Sequence, residues 1–340
     1  LMNRPVTFDL AARRARLTPE RPALHWQGRW HSYLELNARA VQLAARLAER
    51  GVARGERVSI LAQNHLAHFD LILATAKLGF VYAPFNHRLH PEEQRAITRY
   101  LRPSLLLYDE ANADAAAATG LPGLGLSEYE AWLEGAPEPP AAPLLEPEDP
   151  QMILLTGGTT GSPKGAVQPY RQGVWNAVNT VFSWGLREDD CCVQATPCFH
   201  AAVNALSLPL LHLGARVVLE RIFSPEDYLR LVAETRPSLL FLVPTMYAML
   251  ADAPGFAEAD FSGVRWAISG GASCPAPVRA AFERRGLRFK QGYGLSEAGV
   301  NCFAIEPDDA QTRPDSVGKP VLHAEAAIRA EDGSPTPAGE

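Results

Sequence analysis

Residues 155–165 read LTGGTTGSPKG, a stretch rich in glycine and hydroxyl side chains that contains a single lysine. The apolar run Met152–Leu155 leads into it and predicts a strand followed by a loop. Glycine lets backbone N–H groups approach a ligand closely, and threonine hydroxyls can donate to phosphate oxygens. Lys164 brings a positive charge to the same place. The stretch therefore predicts a loop that holds a polyphosphate.

Two other interpretations fit this stretch less well. A Walker A loop requires G-x-x-x-x-G-K followed by Ser or Thr, whose hydroxyl binds Mg²⁺. Here Pro163 precedes Lys164 and Gly165 follows it, so that hydroxyl is missing. A plain glycine turn between two strands is the simpler alternative, but chance matches to a phosphate motif are usually shorter than this one.

The stretch resembles the signature loop of the adenylate-forming superfamily, which includes acyl-CoA synthetases, peptide-synthetase adenylation domains and luciferases. Gly157 stands where that family usually has Ser or Thr. Residues 291–297 (QGYGLSE) resemble the second signature, Y-G-x-T-E, with Ser296 in place of Thr. Residues 197–200 (PCFH) resemble the aromatic–His segment, and residues 269–273 (SGGAS) resemble the glycine turn along the adenine. These segments follow one another in the family's order, which indicates membership.

The resemblance implies that ATP, Mg²⁺ and CoA are the cofactors and that the protein activates a carboxylic acid. The acid would attack the α-phosphorus of ATP to give an acyl-adenylate, and a CoA thiol would then take the acyl group. The implied nucleotide-binding residues are Thr156, Gly158, Thr159, Thr160, Gly161, Lys164, Gly271, Ala272, Gln291, Gly292, Tyr293, Gly294 and Ser296. The implied acid-binding residues are Phe199, His200, Ala202, Gly271 and Gly292. Glu297 is the implied Mg²⁺ ligand, and His200 and Lys164 are the implied catalytic residues.

The side chains alone support these roles only in part. The tyrosine ring of residues 291–297 offers a face on which a planar base can stack, and a carboxylate can bind Mg²⁺. The same residues also fit a plain strand-to-helix turn. A lone histidine such as His200 is more often structural than catalytic.

The residues after His200 bear on the choice of acid. Ala201, Ala202 and Val203 are small, and the resemblance places them along the acyl chain. We therefore expect a medium- or long-chain fatty acid. The stretch from Val193 to Asn204 has no aspartate of the kind that binds an amino group in peptide synthetases, which favours a CoA ligase. The alternatives are an adenylation domain for an amino or aryl acid and a nucleotide-binding fragment without turnover.

Local patterns predict several helices. Ser32 followed by Glu35 is a capping box that opens a helix running to Arg50, and further helices are expected around 204–212 and over Pro225–Thr235.

The chain as a whole predicts the α/β class, because strand and helix patterns alternate. We expect two similar, mostly parallel sheets flanked by helices, as in the N-terminal domain of the adenylate-forming family. The predicted divisions are a first α/β subdomain (1–136), a Pro-rich linker (137–150), a second α/β subdomain with the phosphate loop (151–322) and the start of a truncated β subdomain (323–340). The resemblance implies that a ribose-binding aspartate and a C-terminal domain with a catalytic lysine lie beyond Glu340. A partial enzyme, inactive by itself, is therefore expected.

Composition excludes several classes of function. A net charge of −6 argues against general nucleic-acid binding, and no apolar run reaches the ~18 residues of a membrane span. Five cysteines without C-x-x-C spacing indicate reduced thiols and a cytoplasmic location. His65 and His68 lie three residues apart but have no third ligand nearby, so we expect an exposed helix face and no metal site. The expected partners are small molecules, and a homodimer is compatible with this interpretation.

Overall fold

The computed structural model describes residues 8–156 and 164–337. The strands are β1 Pro22–Trp26, β2 Arg29–Ser32, β3 Arg57–Leu61, β4 Val81–Tyr82, β5 Leu105–Tyr108, β6 Gly123–Gly125, β7 Pro150–Thr156, β8 Lys164–Pro169, β9 Cys191–Gln194, β10 Arg216–Leu219, β11 Leu239–Leu242, β12 Trp266–Ser269, β13 Phe289–Gln291, β14 Gly294–Leu295, β15 Val300–Asn301, β16 Phe303–Ala304 and β17 Lys319–Pro320. The α-helices are α1 Leu10–Leu17, α2 Tyr33–Glu49, α3 Leu66–Leu78, α4 Pro91–Leu101, α5 Ala113–Ala117, α6 Tyr129–Leu133, α7 Tyr170–Ser183, α8 Leu208–Leu213, α9 Pro225–Thr235, α10 Pro244–Ala251, α11 Ala276–Glu283 and α12 Pro307–Thr312. Two 3₁₀ turns lie at Glu110–Asn112 and Ser296–Ala298, and a π-turn lies at Val203–Ser207.

Helix α2 shows how local sequence fixes an element. The Ser32 hydroxyl accepts a hydrogen bond from the Glu35 N–H at 3.2 Å, and the Glu35 carboxylate accepts one from the Ser32 N–H at 2.7 Å. This reciprocal pair satisfies two N–H groups that the first turn of a helix leaves without partners. The predicted capping box is therefore confirmed, and the helix ends at Glu49.

Two large sheets form the core. The first has the order β6-β5-β3-β4-β7-β8, and only the β7–β8 pair is antiparallel. The second has the order β13-β12-β11-β9-β10-β1-β2, and only the β1–β2 pair is antiparallel. Helices cover these sheets, as parallel strands require. The prediction of two mostly parallel sheets flanked by helices is confirmed.

The sheets do not follow the order of the chain. Strands β1 and β2 lie within residues 22–32, yet β1 pairs with β10 of the second sheet, with Leu24 opposite Val217. Strands β7 and β8 lie within residues 150–169, yet β7 pairs with β4 of the first sheet. Each sheet therefore takes strands from both predicted subdomains, 1–136 and 151–322. As a consequence, β7 and β8, which flank the glycine-rich stretch in the sequence, belong to one sheet, and the Tyr293 segment follows β13 of the other.

Helix α3 departs from the sequence-based expectation. All residues from Leu66 to Lys77 are buried, because the helix packs between the first sheet and α2 and its charged side chains, Asp70 and Lys77, form ion pairs. His68 is fully buried, its Nδ1 lies 2.7 Å from the Tyr82 hydroxyl, and burial lowers its pKa to about 3. His65 caps the helix by accepting from the Ala67 N–H. The prediction of an exposed helix face for these histidines is wrong. In residues 8–156 and 164–337 no cluster of potential metal ligands is found.

The connection between the predicted halves is extended but held in place. Residues 136–149 contain neither helix nor strand. Leu145 is buried in a small cluster with Ala76 and Tyr170, and Asp149 pairs with Arg54 at 2.5 Å. Within the described ranges, no helix is both long enough and apolar enough to cross a bilayer.

Candidate active site

The two ends of the glycine-rich loop are held by a hairpin. Thr156, the last residue of β7, lies opposite Lys164, the first residue of β8. Lys164 is exposed. The predicted contacts Gly158, Thr159, Thr160 and Gly161 lie outside the described residues. The hairpin therefore fixes where the loop begins and ends, and brings Thr156 and Lys164 to the same place.

A hydrogen bond joins this hairpin to the second signature segment. The Thr156 hydroxyl donates to Oε1 of Glu297 at 3.2 Å across 141 residues of sequence. Nε2 of Gln168, on β8, donates to the backbone carbonyl of Ser296, and Nε2 of Gln172 lies 3.5 Å from the carbonyl of Glu297. The turn that carries Ser296 and Glu297 is thus fastened to the strand that follows the glycine-rich loop. Sequence reasoning identified neither glutamine.

Tyr293 follows β13 and leaves an open aromatic face. Its side chain is 48% exposed, and its ring stands edge-on to Phe303, with centroids 5.5 Å apart at 83°. Phe303 therefore orients the ring, and about half of the Tyr293 side chain remains exposed. Such a ring can stack on a planar ligand.

The backbone explains two of the predicted glycines. A Cβ on Gly294 would lie 1.5 Å from the Val300 carbonyl oxygen, so no other residue fits there without moving the backbone. Gly271 has φ of +84°, a conformation that glycine adopts without strain, and both Gly271 and Ala272 are exposed. These positions let a ligand approach the backbone closely.

The Gln291 side chain forms hydrogen bonds with two loops. Its Oε1 accepts from the Cys274 N–H at 2.8 Å, and its Nε2 donates to the Pro314 carbonyl at 2.7 Å. The next residue, Gly292, donates its N–H to the Ser269 carbonyl at 2.7 Å. The Gln291 amide is therefore occupied by protein groups, and its side chain positions the 269–274 turn against the Tyr293 segment.

The aromatic–His segment emerges at the same edge as these turns. Strands β9, β11, β12 and β13 are parallel neighbours, so the residues that follow β9, β12 and β13 leave the sheet on one side. In open α/β sheets this carboxyl edge is where ligands bind. Residues 197–200, 269–273 and 291–297 therefore share one edge of the second sheet.

His200 lies in a cluster of rings, and its pKa is lowered. Its ring centroid lies 4.3 Å from that of Phe199, and His87 meets Phe199 edge-on at 5.2 Å. His87 Nδ1 lies 3.1 Å from the Ala62 carbonyl, which orients that ring. Protein around the imidazole lowers the pKa of His200 by desolvation, and the charges of Arg88 and His87 lower it further. A neutral imidazole at this place can donate or accept a hydrogen bond.

Residues 201–207, which follow His200, contain an unusual turn, and we call this segment the wall. Ala201 and Ala202 are half-buried against the main hydrophobic core. The helix predicted over 204–212 is split into the π-turn Val203–Ser207 and the short helix α8. The side chains of Asn176 and Asn301 bind this π-turn, and sequence reasoning identified neither residue.

Lys290 is a second feature that the sequence did not indicate. It is buried on β13, with its Nζ 4.0 Å from the ring centroid of Trp266 and 5.3 Å from that of Trp184. Burial lowers the pKa of Lys290 to about 7. This lysine immediately precedes the Gln291–Glu297 segment.

Comparison with known proteins agrees with this geometry. The family model described as AMP-binding enzyme matches residues 11–340. Feruloyl-CoA synthases of Amycolatopsis sp and Streptomyces sp are 34% identical over 330 residues, which cover 96% of this chain and 67% of theirs. An indoleacetate–CoA ligase of Aromatoleum aromaticum is 32% identical over 335 residues, covering 94% of this chain and 66% of the relative. A solved structure of a fatty acyl CoA synthetase from Mycobacterium tuberculosis is 25% identical with a TM-score of 0.89, covering 97% of this chain and 67% of that one. The chain thus spans about two thirds of the length of these relatives.

Proposed function

The chain belongs to the AMP-binding enzyme family, and we propose that it takes part in activating a carboxylic acid with ATP to an acyl-adenylate, whose acyl group then passes to CoA. The observation that carries this proposal is the 3.2 Å hydrogen bond from Thr156 to Glu297. This bond supports the proposal because it joins Thr156, near the start of the glycine-rich stretch, to a segment that offers an aromatic face, Tyr293, and a carboxylate, Glu297. An adenylate-forming site needs these groups together, because its reaction depends on aligning the acid with ATP and on stabilising the spread charge.

Several of the residues predicted from the sequence have a direct role in this proposal. The β- and γ-phosphates of ATP would be held by Lys164 and by Thr159 and Thr160 of the glycine-rich loop. Tyr293 would stack on the adenine, and Ser296 would contact the α-phosphate. Neutral His200 would lie at the carboxylate end of the acid.

Glu297 is the proposed Mg²⁺ residue. Its carboxylate is exposed and, within residues 8–156 and 164–337, receives one hydrogen bond, from Thr156, so oxygen lone pairs remain for a cation. Mg²⁺ is usually bound through one or two carboxylates, with phosphates and water as its other ligands. A single carboxylate beside a phosphate loop therefore fits a metal that arrives with ATP, where it would neutralise phosphate charge.

We favour an aromatic acid as the substrate. The feruloyl-CoA synthases and the indoleacetate–CoA ligase, at 34% and 32% identity, are named for aromatic acids. The rings of Phe199, His200 and His87 lie together at the proposed acid end, where a flat acyl group could pack against them.

A medium- or long-chain fatty acid is the second candidate. Ala201 and Ala202 leave room beside the core, and each buried methylene of a substrate would contribute about 0.8 kcal/mol. The structural similarity to a fatty acyl CoA synthetase favours the same candidate.

Calorimetric titration of the chain with stable acyl-adenylate analogues tests both proposals. The probes are AMP, feruloyl-sulfamoyl-adenosine and octanoyl-sulfamoyl-adenosine. We expect both acyl analogues to bind more tightly than AMP, and the feruloyl compound to bind best. Tighter binding of the octanoyl compound would select the fatty-acid candidate. If none of the probes binds, the proposed function is wrong.

A further inference from the structure

The π-turn after His200 has a cause in the sequence. In an α-helix the N–H of Leu208 would donate to the Asn204 carbonyl, and residue 209 would donate to the Ala205 carbonyl. Residue 209 is proline and has no N–H. The N–H of Leu208 donates instead to the Val203 carbonyl, five residues back. The Asn204 carbonyl therefore loses its α-helical donor, and the Ala205 carbonyl never had one.

Two asparagine side chains supply the missing donors. Nδ2 of Asn176, on α7, donates to the Asn204 carbonyl at 2.7 Å. Nδ2 of Asn301, on β15, donates to the Ala205 carbonyl at 2.7 Å. Both asparagines are more than nine-tenths buried. Since a buried carbonyl without a partner is costly, this pair stabilises the π-turn.

Asn176 and Asn301 also connect the π-turn to the rest of the proposed site. The Asn301 N–H donates to Oδ1 of Asn176 at 3.0 Å, so the two residues are bonded to each other. Nδ2 of Asn301 also donates to the Thr180 hydroxyl at 2.7 Å. Asn301 lies four residues after Glu297 in the sequence, and the π-turn begins three residues after His200. The asparagine pair thus connects the nucleotide-side turn to the wall on the acid side.

We propose that Asn301, supported by Asn176, is a positioning residue that holds the π-turn and so sets the acid-side wall after His200. This inference rests on the proposed function, because it assigns the wall to the acyl group. Loss of the Asn301 amide would free the Ala205 carbonyl and let the wall shift, while the nucleotide contacts remain. Acyl groups would then bind less well, and AMP would not be affected.

The test compares Asn301→Ala with the parent chain by titrating AMP, feruloyl-sulfamoyl-adenosine and octanoyl-sulfamoyl-adenosine. We expect at least one acyl analogue to bind roughly tenfold more weakly, equivalent to about 1.4 kcal/mol, with less than about a twofold change for AMP. Asn179→Ala is the matched control. Asn179 lies on the same helix as Asn176 and is equally buried, at 7% exposed, but it binds the N–H of His323 and not the π-turn. Its ratio of acyl to AMP affinity should not change.

A second variant separates positioning from stability. Pro209→Ala restores an N–H, so the segment can return to α-helical bonding and satisfy both carbonyls without the asparagines. In the Asn301→Ala, Pro209→Ala double variant we expect thermal stability to recover while acyl binding stays weak. Recovery of acyl binding, or an equal loss for AMP and acyl analogues in Asn301→Ala, would overturn the inference. If the proposed function itself is wrong, the parent chain will bind neither AMP nor the acyl analogues, and this result differs from both outcomes above.

Discussion

Replacing Lys290 with methionine should stabilise the fold most at low pH. Lys290 is buried against Trp266 and Trp184, and burial lowers its pKa from 10.5 to about 7. Between these values the unfolded chain binds a proton that the folded chain does not. The free energy of unfolding therefore rises with pH across this window. Below pH 7 the full cost of burying the ammonium is present, and above pH 10.5 it is absent.

The pKa shift of Lys290 sets the size of the change in the free energy of unfolding. The difference between 10.5 and about 7 is about 3.5 pKa units, and each unit is worth 1.36 kcal/mol, so the ceiling is about 5 kcal/mol. Methionine keeps the length of the apolar stem and carries no charge. We expect Lys290→Met to gain up to about 5 kcal/mol at pH 6.5, and the gain to shrink by about 2–3 kcal/mol by pH 9.

Urea unfolding at pH 6.5, 7.5 and 9 measures this directly. Lys319→Met is the matched control, because Lys319 is exposed and its replacement should leave the pH dependence unchanged. If the added stability of Lys290→Met does not vary with pH, or if the variant is less stable than the parent at pH 6.5, burial of the ammonium does not destabilise the fold. AMP titration of the same variant should give the parent affinity, because the buried amine contacts the tryptophans and not the Tyr293 face.

Three further substitutions test the site itself. Lys164→Ala should weaken ATP binding by roughly tenfold to a hundredfold, since a hydrogen bond to a charged group is worth about 1.5–3 kcal/mol. AMP lacks the β- and γ-phosphates, so its affinity should not change. An equal loss of affinity for both nucleotides would count against a phosphate-binding role for Lys164. Gly294→Ala should abolish AMP binding, because the new Cβ would lie 1.5 Å from the Val300 carbonyl oxygen, and a variant with parent affinity would show that the turn tolerates a side chain. Ala202→Trp should favour acetyl over octanoyl analogues in the same titration, and an unchanged preference would remove Ala202 from the acid wall.

The sequence predicted features that depend on neighbouring residues. The capping box at Ser32 and the bounds of α9, Pro225–Thr235, follow from side chains within one or two helical turns. The fold class followed from the alternation of strand and helix patterns. The glycine-rich runs identified the family because their residue types and order are rare in combination.

Features that depend on distant pairing were not predictable from the sequence. The pairing of β1 with β10 depends on a register between Leu24 and Val217, which no local pattern encodes. The burial of His68 depends on what packs around α3, and a short His-x-x-His spacing does not reveal it. Pro209 was a local signal for an irregular turn, but the donors that satisfy it, on Asn176 and Asn301, come from elsewhere in the chain.

We propose that one site binds both halves of an acyl-adenylate, and a crystal structure of the chain with feruloyl-sulfamoyl-adenosine would show whether it does. We expect the adenine against the Tyr293 ring, the sulfamoyl group beside Ser296, and the feruloyl group between His200 and the π-turn Val203–Ser207. A ligand bound with its adenine away from Tyr293, or with its acyl group outside the His200 wall, would contradict this proposal.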